Sequence, residues 1–299
     1  MPRDIPNKPS PGTDDPSSGE IGSKLGEVWP EIVNIARKFG LVSPAAVVQG
    51  QYGDCFFEAA LASLARSADG QQKIQNMIVA EGNGSFVVTF PGQPNSPITV
   101  TASDLGDYST TSTTQWANIL ETALLKLDDA KPDPGPGQGI NDCQSGNVKS
   151  LSDALQLLTG QKPGVDAVSP SYSSYEYWYE QQVEQTLEKG LPIITSSDPV
   201  PDDQGVADKT YHPYEPKPGS SWPIEGAHAF SILAYDPATQ IITLRNPWGS
   251  DDQGGALKVK GQIVDGITDD GNGEISMSFD TFMRHFDEID FAKPATPWW

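Results

Sequence analysis

The sequence predicts an α+β protein with helices in its first two thirds and mainly strands after them. Apolar residues recur at helical spacing mostly before residue 190, whereas the clearest runs beyond residue 226 are short and strand-like. Gly and Pro, at 29 and 26 of 299 residues, favour many turns over a helical bundle, and no internal repeat is present.

The elements follow in order. Residues 1–20 hold five prolines among Ser, Gly and Asp, a composition that cannot offset the entropy of ordering, so a disordered leader is expected. From Ile21 to Leu41 the residues Leu25, Val28, Trp29, Ile32, Val33, Ile35 and Ala36 keep helical spacing, with Gly40 as a stop. Cys55–Ala65 is dense in Ala and Leu, too long for a strand, and follows the turn-forming Gly53-Asp54. It is expected to be a buried helix beginning at Cys55. Strands are expected at Ser85–Phe90 and Ile98–Thr101, and a helix at Thr114–Leu127 through Trp116, Ile119, Leu120, Ala123 and Leu127. Asp133–Gly139 reads as loop. Leu151–Leu158 reads as a helix stopped by Gly160, and a Gly/Pro/Ser loop is expected from there to Ser174. A helix at Tyr175–Lys189, a strand at Pro192–Thr195 and a polar loop at Asp198–Ser221 complete this part.

The hairpin is the sharpest local signal: Ala227–Tyr235 and Gln240–Asn246, joined by Asp236-Pro237-Ala238-Thr239. A turn centred near residue 237 or 238 sets His228 opposite Asn246 or its immediate neighbours. The expected division is a leader at 1–20, a helical lobe at 21–165 and a β-rich lobe at 166–299.

Charge narrows the partners. Asp and Glu number 40 against 19 Lys and Arg, a net charge of −21. Such a surface repels nucleic acid and anionic membranes. No apolar run approaches the ~18 residues of a membrane span, and the first residues lack a signal-peptide stretch. The expectation is a cytoplasmic protein, or one exported without an ordinary signal peptide. Two cysteines, Cys55 and Cys143, are too few for a disulfide scaffold or a Cys-rich zinc site and fit a reducing compartment. His-Glu-x-x-His, Gly-x-Ser-x-Gly and a phosphate loop are all missing from the sequence.

What remains is thiol chemistry. Cys55 at a helix N-terminus meets unpaired N–H groups and a macrodipole that favour a thiolate, so a depressed thiol pKa is expected. A lone Cys in an apolar helix is more often core, but Gln49, Gly50, Gly53 and Asp54 flank this one. The base comes from three histidines: His212 in a Pro-rich loop, His285 in a short C-terminal helix, and His228 at a strand start. His228 alone has an orienting candidate in Asn246. On the residues alone, a core histidine and an Asn-Pro turn remain open readings.

The segment Gln49-Gly50-Gln51-Tyr52-Gly53-Asp54-Cys55-Phe56, with the Ala/Leu-rich helix after it, resembles the calpain signature Gln-Gly-x-x-Gly-Asp-Cys-Trp. Gly226-Ala227-His228-Ala229-Phe230-Ser231 is similar to the calpain Gly-His-Ala-Tyr-Ser segment, and Leu244-Arg245-Asn246-Pro247-Trp248-Gly249 to Arg-Asn-Pro-Trp-Gly. Trp116–Leu127 and Met277–Phe286 also resemble calpain core segments, and the match runs from about residue 40 to 292. The resemblance implies a papain-like two-lobed cysteine protease fold with the active site in the cleft. It implies Cys55 as nucleophile, His228 as general base and acid, Asn246 as the residue orienting the imidazole, Gln49 as oxyanion donor and Trp248 as a shield over the Asn–His bond. Substrates would be proteins or peptides, no organic cofactor is implied, and a monomeric stand-alone catalytic core is expected. Phe56 replaces the usual Trp, and Ala227 the usual Gly.

Calcium is the one cofactor the resemblance brings. Asp269-Asp270-Gly271-Asn272-Gly273-Glu274 packs oxygen donors around two glycines, which also describes an ordinary acidic hairpin turn. By resemblance the ligands are Asp252, Asp270, Asn272 and Glu274. A first-lobe site is expected to be lost, because Ala46 stands where calpains have Asp. Two other readings of the same residues are a catalytically inactive binding module and a thiol acyltransferase or delivered effector.

Overall fold

The computed structural model describes residues 41–50, 52–81, 83–108, 110, 112–128, 148–167, 176–197, 224, 228–249 and 266–293. The chain divides after Gly40, and every described residue belongs to the unit beginning at Leu41. The expected leader and first helix, the loops at 133–139 and 198–221, and Cys143, His212 and Asp252 lie outside the described residues.

Helix α1 is Cys55–Ala65. Asp54 starts it, its carbonyl accepting the amides of Phe57 and Glu58 at 2.8 and 3.1 Å. Every residue after Cys55 in this helix is buried, as its Ala/Leu density requires. Two elements not expected from the sequence come next: α2 (Ala68–Met77) and the three-residue β1 (Ile78–Ala80). Only Gly70, Ile74 and Met77 of α2 are buried, so its start is set by a cap, with Ser67 Oγ accepting from Gly70 N at 3.1 Å. Strands β2 (Phe86–Val88) and β3 (Ile98–Val100) complete an antiparallel sheet with β1. Helix α3 (Ala102–Asp107), also unforeseen, begins at a reciprocal capping box between Thr101 and Asp104.

Helices α4 (Gln115–Leu127) and α5 (Leu151–Thr159) match expectation within a residue, and Gly160 ends α5 at φ +72°. Strand β4 (Gly164–Ala167) corrects the expected loop from Gly160 to Ser174: a Gly/Pro-rich stretch becomes a strand because it pairs with β10, far away in sequence. Helix α6 (Glu176–Glu188) and strand β5 (Ile193–Ser197) follow.

The hairpin is β6 (Ala229–Asp236) and β7 (Ile241–Arg245). Asp236 builds the turn, its carboxylate accepting from Ala238 N and Thr239 Oγ1. Ser231 pairs with Arg245 and a register shift follows Ile232. Continuing that pairing back past the strand sets His228 level with Trp248, at the far edge of the expected window. Strands β8 (Thr268–Gly271) and β9 (Glu274–Ser278), helix α7 (Phe279–His285) and strand β10 (Phe286–Phe291) close the described chain, with His285 in its expected short helix.

Seven strands form one antiparallel sheet in the order β4-β10-β5-β6-β7-β9-β8. Its core gathers Phe230, Leu244, Met277, Phe279, Phe282 and Phe286, with Phe282 and Phe286 stacked at 4.8 Å. Each such side chain contributes roughly 1.5–3 kcal/mol on burial. Helix α1 packs on β5 and β6, and two serines fix it there. Ser63 Oγ donates to Ile193 O and accepts from Ile193 N, both at 2.8 Å, and Ser231 Oγ donates to Ala59 O at 2.7 Å. The small residues Ala59, Ala60 and Ala62 permit this close approach. The architecture is thus mixed α+β with antiparallel sheets. Among the described residues, no helix is long and apolar enough to cross a membrane.

Candidate active site

Three chain segments meet at the start of β6. Cys55 is the first residue of α1 and is partly exposed. Its thiol lies against the backbone amide of Ala229, the residue after His228, and against the amides of Phe56 and of Cys55 itself. The docking of α1 by Ser63 and Ser231 is what brings this helix end to the strand.

His228 is nearly buried and anchored through its backbone: its N–H donates to Ser197 Oγ at 3.1 Å, and its carbonyl accepts from Ser197 N at 2.9 Å. Its ring Nε2 lies 2.9 Å from Asn246 Oδ1. The same Oδ1 accepts from Trp248 N–H at 2.9 Å, which fixes it as the oxygen of the amide. Nε2 therefore carries the proton and donates, and the lone pair of the neutral ring sits on Nδ1.

Asn246 is fully buried, and its N–H donates to Gly273 O at 2.8 Å. Gly273 has φ +77°, and a Cβ there would stand 3.0 Å from Asn246 O, so the hairpin beneath the site needs glycine. The Trp248 ring packs on the imidazole at 4.5 Å between centroids, and Phe230 meets it edge-on at 5.2 Å. Gln49 joins the same cluster. Its N–H donates to Pro247 O at 2.8 Å, and its side-chain Nε2 donates to Tyr52 O at 2.6 Å. That bond orients the amide while using one of its two hydrogens.

The electrostatics depart from expectation at the thiol. Burial pushes Cys55 up to about 11 from the ordinary 9.0. The amide of Ala229 opposes this, Asp54 adds to it, and the amides of Phe56 and Cys55 again oppose it. The helix N-terminus thus pulls in the expected direction but is outweighed, and the resting group is a thiol. Behind it lie Asp54, Glu58 and Glu121, fully buried. Burial raises Asp54 to about 7. It also raises Glu58 and Glu121 well above the carboxylate range, each reinforced by its acidic neighbours, with Arg245 opposing at Glu58. Asp54 reads in the sequence only as a turn residue beside Cys55, and Glu58 and Glu121 went unnoticed there, although Glu58 is the only charge in the apolar run Cys55–Ala65.

Direct contacts thus link His228, Asn246 and Trp248, with Gln49 joined through Pro247, and Cys55 reaches them through Ala229, the residue after His228. The calcium candidates are described in part. Asp270 and Glu274 flank the β8–β9 turn, whose Asn272 has φ +56°. Ser276 Oγ donates to Asp270 Oδ2, and Glu274 lies in the field of Arg245. Asp252 is outside the described residues. Set against known proteins, the chain matches no family model, and no curated protein matches it.

Proposed function

We propose that this chain is a calpain-like cysteine endopeptidase, its α+β architecture being the papain-like fold with a helical lobe facing a β-rich lobe across the catalytic cleft. One observation carries the reading: Asn246 Oδ1 accepts from both His228 Nε2 and Trp248 N–H, leaving Nδ1 as the basic ring atom of a histidine whose sequence neighbour, Ala229, meets the thiol of the helix-start Cys55.

The chemistry follows from these positions. Nδ1 of His228 takes the Cys55 proton as Sγ attacks the scissile carbonyl carbon, and the carbonyl π pair moves onto oxygen. The Cys55 N–H at the helix start and the second hydrogen of Gln49 Nε2 meet that oxyanion. The imidazolium then protonates the leaving amine as the C–N bond breaks, giving a thioester on Cys55. Water, deprotonated by Nδ1, attacks the thioester, and the proton returns to sulfur as the acid leaves. Asn246 holds the ring in the productive tautomer throughout, and Trp248 keeps water from the Nε2–Oδ1 bond. A calcium ion held by Asp252, Asp270, Asn272 and Glu274 would fasten the turn whose Gly273 carbonyl holds Asn246, taking no part in bond making.

The raised Cys55 thiol favours a second reading, a catalytically inactive module that keeps the fold. Cleavage of a peptide library by the wild type, Cys55→Ala and Cys143→Ala separates the two. Hydrolysis lost only in the Cys55 variant supports the peptidase. Absence of cleavage by the wild type, or loss in the Cys143 variant, overturns it.

A further inference from the structure

We propose that Asp54, Glu58 and Glu121 form an internal site for one hard divalent cation of calcium size, directly behind the Cys55 helix start. Asp54 is the N-cap residue of α1, Glu58 lies in its first turn, and Glu121 comes from the middle of α4. One carboxylate oxygen from each lies within 4.8 Å of the others. Calcium binds oxygen at about 2.3–2.6 Å, so ligands on opposite sides of the ion are at most about 5 Å apart.

Clustering of acids alone would mean little; these three are each fully buried, and none of their six oxygens has a hydrogen-bond partner. A buried carboxylate ordinarily has such partners or a counter-charge. The cation opposing Glu58 is Arg245, itself buried and shared with Glu274. Three ionised carboxylates and one guanidinium leave two negative charges, which one divalent ion cancels. An all-carboxylate donor set with no nitrogen or sulfur selects a hard ion, and Ca2+ gives up its hydration shell to protein oxygens more readily than Mg2+.

The site shares no residue with the β8–β9 hairpin, and nothing in it depends on peptidase activity. Its test is calorimetry and thermal unfolding of the full chain with Ca2+ alone and with Mg2+ alone. Saturating Ca2+, about 100-fold above Kd, should raise Tm by roughly 5–10 °C, and Mg2+ by much less. The gain should persist in Asp270→Asn with Glu274→Gln and be lost in Glu58→Gln and in Glu121→Gln. If those Gln variants fail to fold, the hairpin variant extended by Asp252→Asn and Asn272→Ala decides, since its Ca2+-dependent gain cannot come from that loop. No Ca2+ effect in the wild type, or one abolished by the hairpin substitutions, would overturn the site. So would Gln variants that unfold at or above the wild-type temperature while keeping the Ca2+ gain, the behaviour of a cluster of protonated acids.

Discussion

Replacing Asn246 by Ala removes a single oxygen on which two donors converge, the buried His228 Nε2–H and the part-buried Trp248 N–H, each at 2.9 Å. Leaving a buried donor unpaired costs about 1–3 kcal/mol. The backbone donor at Trp248 bears on stability, and the imidazole donor on the ring's tautomer and aim. Assigning about 2 kcal/mol to the ring gives a fall in kcat of roughly 30-fold, since 1.36 kcal/mol is tenfold. KM should change little, because Asn246 is fully buried and touches no substrate. Steady-state kinetics on a fluorogenic peptide measures the first effect, and thermal unfolding the second. His228→Ala should be far more damaging. A variant with lowered Tm but unchanged kcat would reduce Asn246 to a structural residue.

Other consequences follow from the same contacts. Ser63→Ala leaves both the N–H and the carbonyl of Ile193 unpaired, so urea denaturation should show a loss of about 2–4 kcal/mol, against about 1 kcal/mol for Ser231→Ala, whose partner is one helix carbonyl. Equal losses would contradict the clamp. Because the folded thiol of Cys55 sits at about 11, above its ordinary 9.0, its stabilising contribution is complete below pH 9 and is lost as pH rises through 11. The wild-type Tm should therefore fall more steeply than that of Cys55→Ala across this window, and parallel profiles would count against a thiol held neutral by its surroundings. At the hairpin, calorimetry should show a calcium event that Asp252→Ala with Glu274→Ala removes. An unchanged isotherm would exclude that loop.

Much of this architecture was legible because its signals are local. Cys55–Ala65 declares itself by Ala/Leu density after Gly-Asp, and the β6–β7 hairpin by its Asp-Pro turn. The approach of His228 to Asn246 was legible from hairpin arithmetic, even though the register lay at the edge of the window. What escaped depends on partners distant in the chain. β4 is a strand only because β10 pairs with it, and α2 rests on one serine cap rather than an apolar face. The thiol shift escaped for a related reason: a helix N-terminus is visible in sequence, whereas the desolvation that outweighs it depends on how α1 meets β6. The acids Glu58 and Glu121 could have been noticed as charges in apolar helices, but their convergence needed the packing of α1 and α4.

The central claim is that Cys55 is a nucleophile served by His228. Its most direct test is labelling by a peptidyl probe carrying a thiol-reactive group, with the modified residue located by mass spectrometry in the wild type and in His228→Ala. Modification of Cys55 alone is expected in the wild type, suppressed at least about tenfold without the imidazole. Equal labelling of Cys55 and Cys143, or labelling of Cys55 that is indifferent to His228, would contradict it.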